Sequence, residues 1–167
     1  MKNLLLFLVI LLSINTGFAQ SFTPAQIGAP PMKYQALRDT DKDPNAELRE
    51  AGLKEWKLKK DTVLAKAKKL LEQKDYTAVN QLLYPFDFLE PEEPQFYEYL
   101  GKSYYYSSLY QPALDCFQLS YERQKNTELL FFIGHSFERL GNEREAKKFY
   151  KKGAKEGNVA CRQKLEE

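Results

Sequence analysis

The residue types between Pro94 and Gly153 occur twice at one fixed offset, and this periodicity constrains the fold more than any other feature of the chain. Tyr97, Leu100, Gly101, Tyr104, Ala113, Phe117 and Ser120 return as Leu130, Ile133, Gly134, Phe137, Ala146, Tyr150 and Gly153, each pair 33 positions apart (134 − 101 = 33). Within each copy, large residues fall three or four positions apart around a glycine, which is the spacing of one helix face with a gap where a neighbour approaches closely. A second helical stripe follows, carrying a small residue, an aromatic and another small residue. The unit is a helical hairpin, and these positions are expected to be its packing residues.

The spacing resembles the tetratricopeptide repeat family, whose unit of about 34 residues puts a large residue, a Leu, a small residue and an aromatic on its first helix and small, aromatic and small residues on its second. The resemblance extends over residues 60–167 and implies an all-α fold, a right-handed α-solenoid of about three TPR-like hairpins with a closing C-terminal helix. The expected repeats are 60–93, 94–126 and 127–157, closed by a helix over 158–167. The first is degenerate: Ala67 precedes Gly101 by 34 positions, Leu70 precedes Tyr104 by the same step, and Pro91 fits the proline between repeats. Lys66 stands where Leu is expected, and Val79 and Phe86 occupy the small-residue slots of the second helix.

Ahead of the repeats, residues 1–19 have the pattern of a secretory signal peptide: Lys2, an apolar run from Leu4 to Leu12, then Gly17-Phe18-Ala19 before a cut. The run is shorter than the roughly 20 apolar residues that span a bilayer. An exported bacterial protein is expected, in the periplasm or outside the cell, without stable membrane insertion after cleavage. Cleavage takes one basic residue, so 25 basic and 23 acidic residues become 24 and 23. A balance of +1 (24 − 23) gives no global pull toward nucleic acid or an anionic membrane. Residues 20–43, with Pro24, Pro30 and Pro31, read as a flexible tail in which Phe22, Ile27, Met32 and Tyr34 are isolated apolar points.

A helix is expected over 44–59, capped by Asp43 with Pro44 in its first turn, burying Leu48, Leu53 and Trp56 and using Trp56 to cover the open end of the stack. Asp61 or Thr62 then reads as a fresh N-cap for a helix ending near Gln73. Asp39, Asp41, Asp43, Glu47 and Glu50 match the acidic positions of a calcium loop, but Pro44 stands where the loop needs Gly, so no metal site is expected. Cys116 and Cys161 fall on helices a whole hairpin apart, farther than the roughly 7 Å between Cα atoms that a disulfide bridges, so two thiols are expected.

Catalysis and cofactors have no support in the sequence. His135 is the single histidine, without a nucleophile spaced for it, and there is no Gly-rich phosphate loop. The carboxylates read as solvated helix faces alternating with Lys and Arg. The family resemblance instead implies a concave surface built from first helices: Leu64, Lys68 and Leu71, then Glu98, Lys102, Tyr105 and Tyr106, then Phe131, His135, Glu138 and Arg139. Of these, Lys68, Lys102, Tyr105, Tyr106, Phe131, His135 and Arg139 are the expected peptide-binding residues, since rings give apolar area and the cations reach carboxylates or carbonyls. Tyr105, Tyr106, Phe131 and Phe132 also suit packing between neighbouring hairpins. The expected function is a non-enzymatic protein–protein interaction scaffold of the cell envelope. The alternative is an assembly component that self-associates through the stack or its Pro-rich tail.

Overall fold

The computed structural model describes residues 45–167. The expected signal peptide, the Pro-rich tail, Asp39, Asp41 and the capping pair Asp43 and Pro44 lie outside the described residues. Those described form seven α-helices, one 3-10 segment and no strand. They are α1 (Ala46–Glu72), α2 (Tyr76–Leu83), the 3-10 segment Tyr84–Leu89, α3 (Pro94–Tyr106), α4 (Tyr110–Arg123), α5 (Glu128–Arg139), α6 (Glu143–Lys155) and α7 (Val159–Glu166).

The fresh helix start expected at Asp61 or Thr62 is absent, because α1 runs unbroken for 27 residues. Trp56 and Ala67 are both buried and stand 11 residues apart, about three helical turns, so one continuous face serves both. Just before the expected break, Glu93 accepts the Trp56 indole N–H at 2.9 Å and the Lys60 ammonium at 2.6 Å. An Asp or Thr inside a helix costs under about 1 kcal/mol, which this burial outweighs. Trp56 packs against Phe86 and Phe96, with ring centroids 5.1 and 5.3 Å away, while Leu48, expected inside, is 43% exposed.

Three hairpins follow one construction, most visible in their turns. After α1 the N–H of Asp75 bonds the carbonyl of Leu70 at 3.0 Å and that of Lys74 bonds Leu71 at 3.0 Å. Leu109 with Tyr104 (2.9 Å) and Ser108 with Tyr105 (3.0 Å) repeat this after α3, and Asn142 with Phe137 (2.8 Å) and Gly141 with Glu138 (2.9 Å) after α5. This is the Schellman closure, whose central residue takes the left-handed conformation: Lys74, Ser108 and Gly141 have φ of 59°, 61° and 78°. The residue closing each turn is also the N-cap of the next helix, and Asp75 and Asn142 accept backbone N–H bonds from Ala78 and Glu145. Asn158 does the same between α6 and α7, accepting from Cys161.

The expected packing residues Ala67, Tyr97, Leu100, Gly101, Ala113, Phe117, Ser120, Leu130, Ile133, Gly134, Phe137, Ala146, Tyr150 and Gly153 are all buried, with Tyr104 half-buried. A Cβ on Gly101 would lie 2.8 Å from the Phe117 ring, and one on Gly134 2.7 Å from the Tyr150 ring. In the second and third hairpins the glycine of the first helix is therefore the seat of the aromatic of the second. Two clusters result: α1, α2, the 3-10 segment and α3 enclose Trp56, Ala67, Leu83, Phe96 and Tyr97, whereas α4 to α7 enclose Phe117, Leu130, Ile133, Tyr150 and Cys161. Cys116 belongs to the first cluster and Cys161 to the second, and no disulfide joins them.

Candidate functional site

Rings from α2 to α6 form a row along the hairpins. Tyr76, the first residue of α2, stacks on Tyr106 at the end of α3, centroids 4.6 Å apart and 18° from parallel. Tyr105 is the hub: edge contacts join it to Tyr106 (5.2 Å), Tyr110 (5.9 Å), Phe132 (5.1 Å) and His135 (5.5 Å). Phe131 continues the row, stacked on His135 at 5.9 Å and tilted against Tyr150 at 6.3 Å. Edge-to-face and offset arrangements of this kind are the favourable ones, because the ring edge is positive and the ring face negative.

One hydrogen bond fixes the centre of the row. The Tyr105 hydroxyl and His135 Nδ1 are 2.9 Å apart. Burial pushes the Tyr105 hydroxyl up to about 12, so it keeps its proton, and burial holds the His135 imidazole below its usual value. With His135 neutral and its proton on Nε2, Nδ1 accepts from the hydroxyl. Glu138, Lys164 and Arg139 are the charges that act on His135. Glu138 in turn accepts from the Tyr150 hydroxyl at 2.5 Å, a bond that holds its carboxylate below the usual range.

The cations are drawn into the same arrangement. Lys102 bonds Glu98 at 2.6 Å and lies 5.7 Å from the Phe132 centroid, while the Arg139 guanidinium lies 5.1 Å from the Tyr110 ring. Lys102, Tyr105, Tyr106, Phe131, His135 and Arg139 thus converge from α3 and α5. Lys68 does not join them: it is exposed on α1, and no hydrogen bond, ion pair or ring contact connects it to the row. Tyr105, Phe131 and Phe132 are half-buried and serve as packing between hairpins, whereas Tyr106 remains 50% exposed.

Beyond Phe131 and Phe132 the row opens into a groove of about 450 Å³, lined by Thr127, Glu128, Phe131, Phe132, Gly157, Asn158, Val159 and Ala160. Its two walls are the start of α5 and the start of α7, tied by the bond from Asn158 Nδ2 to the Thr127 carbonyl at 2.9 Å. Val159 is 61% exposed at its edge. The expected binding set held only Phe131 of this groove. Thr127, Gly157 and Asn158 carry no chemical signature, and the α6–α7 turn that brings them to α5 is visible only as Gly157-Asn158.

Among the described residues no three His, Cys, Asp or Glu side chains converge to hold a metal ion, and no helix is long and apolar enough to cross a membrane. No known protein-family model and no curated protein matches this chain.

Proposed function

We propose that the chain is a non-enzymatic scaffold that binds an extended segment of another protein along the aromatic row and in the groove between α5 and α7. The observation that carries this reading is the continuity of the two: Phe131 and Phe132 belong both to the row and to the groove wall. A groove flanked by rings and by the carboxylates and cations of Glu128, Glu98 and Lys102 offers apolar contact at its centre and polar contact at its rim, the usual division of a protein interface. The stacking of three TPR-like hairpins as a right-handed solenoid is part of the proposal, and the Schellman turn that recurs inside each hairpin and again between α6 and α7 supports it. Location in the cell envelope rests on the signal pattern of residues 1–19.

Tyr105 is a packing ring whose removal would loosen the core, so a photoreactive residue is best placed at position 159, where the side chain is exposed. In-cell crosslinking from that position is expected to trap a discrete partner protein, and Glu128→Lys, an exposed change in the groove wall, to abolish the adduct while circular dichroism shows the fold intact. A crosslink pattern that Glu128→Lys leaves unchanged would refute the groove. The alternative, self-association, draws on Leu58, 87% exposed on the outer side of α1. Light scattering showing a mass independent of concentration would eliminate it.

A further inference from the structure

Helix α6 segregates its charges in a way that the balance of the whole chain conceals. It carries six basic and two acidic residues, a net +4 (6 − 2), whereas the whole chain is +2 (25 − 23) and everything outside α6 therefore sums to −2. Successive helical residues turn by about 100°. On that projection Arg144, Lys147, Lys148, Lys151, Lys152 and Lys155 fill one arc of about 140°, with Glu143 and Glu145 just beyond its two edges. All six are exposed, and the buried Ala146, Tyr150 and Gly153 occupy the opposite side. The row from Arg144 to Lys155 runs about 16 Å along the axis.

Internal partners neutralise little of this face. Lys148 pairs with Glu145 at 2.6 Å, and Lys152 lies 4.6 Å from the Tyr121 ring. Lys125, in the connection before α5, stands at the same distance from that ring, so a seventh cation extends the surface. Arg144, Lys147, Lys151 and Lys155 have no ion pair or hydrogen bond among the described residues.

We propose that this face of α6 docks on an anionic phospholipid bilayer. The arc carries no aromatic side chain on which a nucleobase could stack, and the Tyr121 ring beside Lys152 is buried. Five of its six cations are Lys, compact point charges without the forked geometry that reads single phosphates bidentately. A flat array of headgroups asks only for charge in a line, and each Lys or Arg near such a surface tightens binding about fivefold. The contact is peripheral and leaves the groove between α5 and α7 to a protein partner.

The test is sedimentation of the full-length chain with vesicles of phosphatidylcholine alone and of equimolar phosphatidylcholine and phosphatidylglycerol. Binding is expected only to the anionic vesicles, weakening steeply as salt shortens the screening length from about 10 Å at 0.1 M to about 3 Å at 1 M. The triple variant Lys147→Gln, Lys151→Gln, Lys155→Gln should lose about 100-fold in affinity. The control Lys57→Gln, Lys66→Gln, Lys69→Gln removes the same charge from exposed positions of α1 and should bind as the parent does. The apolar run Leu4 to Leu12 is the same in the parent and in both triple variants, so the comparison among them does not depend on it. Equal losses in the two variants, no preference for anionic vesicles, or tighter binding to duplex DNA than to the vesicles at the same salt would each overturn the proposal. Circular dichroism of both variants separates these outcomes from unfolding.

Discussion

The glycine–aromatic seat makes a prediction whose sign can be worked out. In Gly134→Ala the new methyl would stand 2.7, 2.8 and 3.3 Å from Cε1, Cδ1 and Cζ of Tyr150. Carbon atoms rest about 3.5–4.0 Å apart, so ring or helix must retreat by roughly 1 Å. The ring is held by its hydroxyl bond to Glu138 at 2.5 Å and by its place in the buried cluster of α4 to α7. Overpacking of this kind costs about 1–3 kcal/mol. Ala in place of Gly in a helix interior returns about 1 kcal/mol, so the net is a loss of up to about 2 kcal/mol. Urea unfolding followed by circular dichroism measures it, and a double-mutant cycle isolates the contact. In the Tyr150→Leu background the ring is gone, and Gly134→Ala should turn stabilising by up to about 1 kcal/mol, giving a coupling of about 1–3 kcal/mol. If Gly134→Ala stabilises the parent protein by that full helix-propensity gain, or if the coupling is below about 0.5 kcal/mol, the close approach does not set the spacing of these helices.

Ser108→Gly should raise stability by about 1 kcal/mol, because Ser108 is held at a φ of 61° where a Cβ is strained; a Tm that does not rise would show that the turn relaxes in solution. Trp56→Phe keeps the packing on Phe86 and Phe96 but removes the donor to Glu93, and should cost about 1–2 kcal/mol in urea unfolding. Stability should fall as pH drops below about 6.5: burial lowers the His135 pKa in the folded state, so below its unfolded value the unfolded chain binds more protons. His135→Gln should remove that part of the slope and leave the part below about 4.5, where protonation of Glu138 weakens the Tyr150 and Lys164 bonds; an unchanged profile refutes the role of His135. Cys161, buried and pushed up to about 11, should react with a thiol reagent only as fast as α7 opens, and a rate equal to that of a free thiol in the native protein would place α7 off the stack.

What the sequence made legible was what side-chain identity alone encodes. Gly101 with Phe117 and Gly134 with Tyr150 announce themselves because a missing side chain and a large ring recur at one offset. The turns repeat as faithfully but were hidden, since Lys74 and Ser108 take the conformation for which Gly141 is the obvious residue. The unbroken α1 is hidden for the opposite reason: Asp61 and Thr62 look like a cap locally, and only the shared face of Trp56 and Ala67 decides against it. The Tyr105–His135 bond joins residues 30 apart rather than 33, so no repeat register points to it.

The basic face of α6 is visible on the helix surface and not along the chain. Along the chain, Glu143-Arg144-Glu145 followed by paired lysines reads as mixed charge, the pattern of an ordinary solvated helix. Wrapped at 3.6 residues per turn, the acids fall to the margins and the cations share one side, because the buried Ala146, Tyr150 and Gly153 already fix which side faces inward. The packing positions thus determine the surface by exclusion. Once Tyr150 is seated on Gly134, the lysines have only the outer arc to occupy, while Phe131 and Phe132 of α5 form the wall of the groove. The same glycine that sets the helix spacing therefore also sets where α6 stands against the α5 wall of the groove. Gly134→Ala would accordingly be expected to disturb crosslinking at position 159 and to leave docking on vesicles, which uses the charges of a single helix, unchanged, whereas the triple lysine variant of α6 should do the reverse.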